Sequence, residues 1–210
     1  MERIICLVAG YVCGLLQTGY FYGKMNKIDI RNYGSGNSGT TNALRVMGIK
    51  AGAVVFFGDF LKSLIPCLAV RYIFRGQDMA FVLMLYTGLG VILGHNYPIY
   101  LNFKGGKGIA ATAGLICAVD IRLTLVCLIS FVVIVAVTRF VSLGSLIVAA
   151  ITFAWFAAAG LTGGYGLHGR YGIEFLVVAL VISGQAFWRH RANIDRLIHG
   201  RENKLGSKSK

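Results

Sequence analysis

Seven apolar runs, at roughly 4–22, 51–70, 79–95, 106–119, 121–138, 143–160 and 172–188, take up most of this 210-residue chain. A bilayer-spanning helix needs about 20 predominantly apolar residues, within a range of about 17–25. Most of the runs meet or nearly meet that length. The first carries no charge between Ile4 and Tyr22, and no small-residue cleavage site follows it. It therefore reads as a retained span and not as a removed signal peptide. The stretch 106–138 is too long for one ordinary span and short for two. Asp120 and Arg122 interrupt it near the middle, which suits a tight turn between two short helices.

Composition agrees with the runs. The chain is 56% hydrophobic and only 14% charged, where a soluble domain carries about 25% charged residues. Its mean hydropathy is +0.69. Such a chain is not disordered, not a disulfide scaffold and not an ordinary soluble enzyme. Cys6, Cys13, Cys67, Cys117 and Cys127 all lie in apolar runs without a C-x-x-C pair. They read as small core residues, not as metal ligands or redox groups. The expected fold is an all-α integral membrane protein, a compact bundle of about seven transmembrane helices. Residues 1–200 form one transmembrane domain and 201–210 a basic tail.

The net charge of +13 would suggest nucleic acid in a soluble protein. Here its distribution points to a membrane. With seven spans, one face receives 23–50, 96–107, 139–142 and the C-terminal tail, which hold most of the lysines and arginines. The other face receives Arg3, Arg71, Arg75, Arg122 and Arg170. The positive-inside rule places the basic face in the cytoplasm, with the N-terminus outside and the C-terminus inside. Merging 106–138 into one span would send the C-terminal cluster to the wrong face. The G-x-x-x-G pairs Gly10/Gly14, Gly19/Gly23 and Gly90/Gly94 read as close helix packing.

The polar segments of the basic face are unlike ordinary connectors. The first runs from Tyr33 through Gly34-Ser35-Gly36-Asn37-Ser38-Gly39 to Asn42 and Arg45. Glycines alternating with hydroxyls and amides can fold tightly and aim donors at an anion. The second ends in Lys104-Gly105-Gly106-Lys107-Gly108, directly before an apolar helix. A glycine-lined helix N-terminus flanked by lysines favours a phosphate. The Walker A spacing is absent, so ATP hydrolysis is not indicated. The third holds Arg139, Ser142 and Ser145 and is weak by itself. In the fourth, His190, Asn193 and Arg196 would share a side if the last helix continued. Asp59 and Lys62 can pair at i, i+3 inside the second span, either as a structural clip or as a wall of a site. There is no Ser-His-Asp set, no thiolate with a base, no metal cluster and no nucleotide fingerprint. Positioning and charge neutralisation of phosphate-bearing substrates is the chemistry that remains.

These residues resemble the acyl-phosphate:glycerol-3-phosphate acyltransferases of bacterial membranes, the PlsY family. The resemblance rests on three segments: Gly34–Asn37 through Asn42 and Arg45; Gly94-His95, Pro98, Phe103 and Gly105–Gly108; and His190, Asn193-Ile194, Arg196-Leu197, Gly200 and Glu202. It covers essentially the whole chain. Departures are Thr40 in the first segment, and Ala111 followed by Thr112 after the second. The resemblance implies transfer of an acyl group from acyl phosphate to the 1-hydroxyl of sn-glycerol 3-phosphate. The products would be lysophosphatidic acid and phosphate, the site would face the cytoplasm of a bacterial inner membrane, and no metal or cofactor would take part. The candidate catalytic residues are His190, Asn193, Ser35 and Lys104. The candidate substrate-binding residues are Asn37, Arg45, Gly105, Gly106, Lys107, Gly108 and Ser142. One phosphate is expected on Gly105–Gly108 with Lys104 or Lys107, the other near Ser35, Arg45, Ser142, His190 and Asn193. Expected partners are these two small substrates and membrane lipid, not nucleic acid.

Two other readings are open at this stage. His190 and Asp195 match His-x-x-x-x-Asp, the signature of acyltransferases that use acyl-CoA or acyl carrier protein. In a helix, however, i and i+5 do not share a face. A small organic-phosphate transporter would also explain basic loops and glycine-broken spans, but its site would lie near the bilayer midplane.

Overall fold

Asp120 divides the long apolar stretch as its charge suggests. Its carboxylate accepts the Arg122 N–H at 2.8 Å and caps the second of two helices, α5 (Ile109–Val119) and α6 (Ile121–Thr138). The computed structural model describes residues 1–206, and no strand occurs among them. The remaining helices are α1 (Glu2–Gly14), α2 (Thr18–Met25), α3 (Thr40–Ile73), α4 (Ala80–Asn96), α7 (Val141–Thr162), α8 (Arg170–Arg189) and α9 (Arg191–Ile198). Lys208 and Lys210 of the basic tail lie outside the described residues.

Six stretches among the described residues are long and apolar enough to cross a membrane: 2–25, 40–73, 80–101, 121–138, 141–162 and 170–189. The α5 helix is shorter. At 1.5 Å per residue it covers only about 16 Å, roughly half of a hydrocarbon core of about 30 Å. Near its C-terminal end the Ala118 carbonyl accepts the Arg71 guanidinium from the end of α3. At its start Gly108 packs beside Ile92 and Asn96 near the end of α4.

The core is built around α4, nearly all of which is buried, including Val82, Leu83, Met84, Leu85 and Val91. Gly10 and Gly14 of α1 cross Gly90 and Gly94 of α4. A Cβ on any of the four would collide with the opposing backbone, so the G-x-x-x-G spacing serves packing. In contrast α6 buries only Leu123 and Cys127 and exposes much of its apolar surface, including Leu125, Leu128, Ile129, Val132 and Val133, as a helix facing lipid should.

Three elements depart from the sequence-based outline. The first run breaks at 15–17, where buried Gln17 donates to the Gly94 and His95 carbonyls at 3.3 and 3.1 Å. The helix of the second run, α3, begins at Thr40 rather than 51, with a non-helical Gly48 (φ 84°) inside it. After Arg189 the chain does not continue one helix. It turns at His190 and starts α9.

The two ends of the bundle differ. At the end where α1 begins, Arg3 pairs with Glu174, and Tyr165 donates to Asp120 at 2.8 Å while accepting from Trp155 at 3.0 Å. At the opposite end, segments 33–45, 107–110, 139–145 and 190–205 meet around a cavity.

Candidate active site

Three helix N-termini open on that cavity: α3 after Gly39, α5 after Gly108 and α7 after Phe140. None has a side-chain cap. The first N–H groups of a helix lack intrahelical partners and carry its positive dipole end. The cavity encloses about 310 Å³. Two buried hydroxyls on its walls, Thr40 Oγ1 and Ser142 Oγ, have no hydrogen-bond partner. A buried polar atom left unpaired costs about 1–3 kcal/mol, so these hydroxyls are open to a partner that the protein does not supply.

The first segment is a rigid scaffold rather than a loose turn. Asn42 accepts the Ser35 N–H at 2.8 Å and donates to the carbonyls of Ile30, Tyr33 and Asn37. Gly34 and Gly36 take positive φ, and a Cβ on Gly34 would strike the Asn42 amide. Asn37 Oδ1 accepts the Gly39 N–H at 2.8 Å. This framework presents Ser35, Asn37, Thr40 and Arg45 to the cavity.

Across from it, Lys107 donates to Asn193 Oδ1, and Asn193 Nδ2 donates to Glu202 at 2.9 Å. Glu202 also accepts from Arg196 Nε at 2.9 Å. Burial pulls the Lys107 pKa down to about 8; Glu202 opposes this, while Arg196, Arg189 and Arg45 add to it. The buried His190 ring places Nδ1 2.7 Å from the Ala186 carbonyl. A carbonyl only accepts, so Nδ1 carries the proton and Nε2 is left as an acceptor. Burial, then the charge of Lys107, lowers the His190 pKa to about 4, which keeps the imidazole neutral at pH 7. Asp195 does not serve His190: it is exposed and faces His199 and Arg201. The His-x-x-x-x-Asp reading is therefore not realised.

Of the candidate residues, Ser35, Asn37, Arg45, Lys107, Gly108, Ser142, His190 and Asn193 all line the cavity. Lys104, Gly105 and Gly106 do not. Lys104 is exposed on the loop before the glycines. The Gly105 and Gly106 N–H groups donate to the Asn96 and His95 carbonyls, and both glycine carbonyls accept from Arg189. These glycines let the loop pack flat rather than expose N–H groups. A Cβ on Gly106 would overlap the His95 ring. The anion-facing part of the second segment is thus Lys107–Ala110.

The sequence did not single out Thr40, Gln17 or Arg189 as parts of the site. The one available signal was a lone amide, Gln17, inside an apolar run. It also went unseen that Phe56, Phe131, Val135 and Val141 give the cavity an apolar side. The described part of the basic tail ties down: the Leu205 N–H donates to the Arg139 carbonyl at 2.7 Å, and the Arg139 guanidinium donates to the Leu205 carbonyl. Among the described residues no group of three or more His, Cys, Asp or Glu is placed to hold a metal.

Residues 4–200 match the family profile described as glycerol-3-phosphate acyltransferase. A protein of that name from Thermoanaerobacter sp. (strain X514) is 38% identical over 100% of this chain and 98% of its own length. One from Aquifex aeolicus (strain VF5) is 38% identical over 98% of this chain and 100% of its own. One from Shouchella clausii (strain KSM-K16) is 40% identical over 99% and 98%. Among solved structures, the glycerol 3-phosphate form of PlsY (YgiH), an integral membrane glycerol 3-phosphate acyltransferase, superposes with a TM-score of 0.85. It is 35% identical, over 98% of this chain and 96% of that one. The lysophosphatidic acid form gives 0.81 at 34% identity. The chain belongs to the glycerol-3-phosphate acyltransferase family of integral membrane enzymes.

Proposed function

We propose that the protein transfers a fatty acyl group from an acyl phosphate to the 1-hydroxyl of sn-glycerol 3-phosphate. The products are 1-acyl-glycerol 3-phosphate and inorganic phosphate, in the first acylation of phospholipid synthesis. The carrying observation is the cavity itself. Uncapped helix N-termini, the unpaired Thr40 and Ser142 hydroxyls and the cations Arg45, Lys107 and Arg196 surround one neutral His190. The related structures' glycerol 3-phosphate and lysophosphatidic acid forms name an acceptor and a product of matching chemistry.

An acyl phosphate is a mixed anhydride with a good leaving group, so the enzyme need not form a covalent intermediate. It must hold two anions side by side, which repel at close range. The cations and helix termini offset that repulsion. Ser142, Thr40 and the start of α5 suit one phosphate; Ser35, Asn37 and Arg45 suit the other. His190 Nε2 accepts the hydrogen bond of the glycerol hydroxyl and aims its oxygen at the acyl carbonyl carbon. With a pKa near 4 it is a weak base, better fitted to orientation than to keeping the proton. The new C–O ester bond forms, the C–O bond to phosphate breaks, and the departing phosphate takes the proton. The acyl chain lies along Phe56, Phe131, Val135 and Val141.

The proposed topology has seven crossings, with short α5 as the seventh. The N-terminus is outside, and the C-terminus and cavity face the cytoplasm of a bacterial inner membrane, in line with the basic loops around the site. Residues 1–200 act as one transmembrane domain, and residues 201–205 strap the cavity edge.

The test uses purified protein in detergent or lipid, given glycerol 3-phosphate with palmitoyl phosphate or with palmitoyl-CoA. Lysophosphatidic acid and phosphate from the acyl phosphate alone support the proposal. Product from the thioester alone would overturn the donor.

A further inference from the structure

Beneath the cavity lies a charged group that the chemistry above does not use. Lys62 is buried on α3, one turn after Asp59. Its ammonium meets three groups: the Leu16 carbonyl at 2.6 Å, Asp59 Oδ1 at 2.8 Å and His95 Nδ1 at 2.8 Å. Thr18 completes Asp59 with a hydroxyl at 3.1 Å. A lysine ammonium has three N–H donors and no acceptor. With Lys62 protonated, as its pairing with Asp59 indicates, each contact takes one proton and His95 Nδ1 accepts. The other arrangement, a proton on Nδ1 shared with Asp59, fails on distance, because that gap is 3.6 Å.

An imidazole that accepts at Nδ1 and is neutral carries its proton on Nε2. His95 is only 3% exposed, and it lines the cavity. Its Nε2 edge lies at Gly106, where any Cβ would overlap it. Among the described residues this N–H has no protein acceptor, and it is not among the fully enclosed unpaired atoms. It is an unpartnered donor beside Gly106 on a residue that lines the cavity, held in place by a buried ion pair. Two ions and an imidazole are costly to bury, and a packing clip would need neither the histidine nor its opening to the cavity.

We infer that Lys62 is a positioning residue that locks His95 as a neutral Nε2–H donor, and that this N–H bonds a negatively charged oxygen of the substrate. The oxygen belongs either to a bound phosphate or to the acyl carbonyl as it becomes an oxyanion. Only the identity of that oxygen rests on the acyl-transfer reading; the tautomer rests on the three bonds of Lys62.

The first arm of the test needs no variant of Lys62. Protein labelled with ¹⁵N-histidine gives ring nitrogen shifts, and His95→Gln assigns the His95 signals. The expected result is a protonated Nε2 and a bare Nδ1. A proton on Nδ1, or on both nitrogens, overturns the inference. The second arm is kinetic, with whichever donor the wild type uses. His95→Leu loses about 10²–10³-fold in kcat, the usual loss of one oxyanion donor, if the oxygen is the acyl carbonyl. If the oxygen is on phosphate, the loss appears in KM instead. His95→Gln, which keeps an N–H₂ at similar reach, restores most of the loss. Lys62→Met shares the loss of His95→Leu, and the double variant is no worse than either. Wild-type kinetics in His95→Leu, or additive losses in the double variant, overturn the inference. Turnover with the thioester but not the acyl phosphate would sink the donor assignment and leave the tautomer result standing.

Discussion

The two ends of this bundle are finished differently. At the end where α1 begins, the buried and half-buried charged groups are matched. Arg3 has Glu174; Asp120 has Arg122 and Tyr165; Tyr165 has Trp155 and stacks on Phe81 at 4.9 Å. The hydrogen bonds from Arg122 and Tyr165 hold the Asp120 carboxyl far below the usual carboxylate range, and burial together with Asp120 pushes the Tyr165 phenol up. At the cavity end, the Thr40 and Ser142 hydroxyls are buried and unpaired, and three helix starts lack side-chain caps. One end is a closed clasp. The other end keeps donors in reserve, which the proposed substrates would complete.

That contrast can be broken by mutation, and the largest effect is expected at His190. His190→Ala should lower kcat/KM by about 10²-fold or more, the cost of losing the orientation of a reacting group, in protein that still folds. Steady-state kinetics beside thermal unfolding decides it.

Ser142→Ala comes next. A hydrogen bond to a charged group is worth about 1.5–3 kcal/mol, so KM for one phosphate-bearing substrate should rise by about 10–100-fold. Removing an unpaired buried hydroxyl should not lower the unfolding temperature. A less stable protein with normal KM would show that Ser142 is a structural atom after all.

The reverse pattern is expected at the clasp. Tyr165→Phe leaves Asp120 short of one donor and should destabilise by about 1–3 kcal/mol. Its kcat should stay within about twofold of wild type, as expected for a site that does not contact Tyr165. A large drop in kcat with unchanged stability would erase the distinction between the ends.

The mildest effect near neutrality is the pH response of Lys107. Its pKa of about 8 means that the ammonium is lost as pH rises through that value. Attraction for an anion is lost with it, so kcat/KM should fall above pH 8 by about tenfold per unit at most. Lys107→Arg keeps its charge beyond pH 12 and should flatten that alkaline limb. A limb that persists in Lys107→Arg belongs to another group.

The fold was legible where a single residue settles the local choice. Asp120 could not sit in the middle of a lipid-facing helix, and the chain breaks there. The convergence of four basic segments was legible from charge asymmetry, since only one parity puts them on one face. The glycine loop was not. Lys104-Gly105-Gly106-Lys107-Gly108 reads as an anion cradle because glycine frees backbone N–H groups. Glycine also permits close contact, and Gly105 and Gly106 are used that way, against His95 and Arg189. Sequence cannot choose between those uses, because the choice depends on how the loop folds back on His95 and on Arg189, which is more than eighty residues away. For the same reason Gln17, whose partners are Ser38, Gly94 and His95, showed only as an odd amide in an apolar run.

The most direct test of the unfinished cavity is thermal unfolding with and without glycerol 3-phosphate, on wild type, Thr40→Val/Ser142→Ala and Tyr165→Phe. Ligand that binds only the folded protein raises its unfolding temperature. The account predicts that Thr40→Val/Ser142→Ala keeps the ligand-free temperature and loses most of the rise. It predicts that Tyr165→Phe lowers the ligand-free temperature and keeps the rise. A full rise in Thr40→Val/Ser142→Ala would contradict the claim that the substrate completes these hydroxyls.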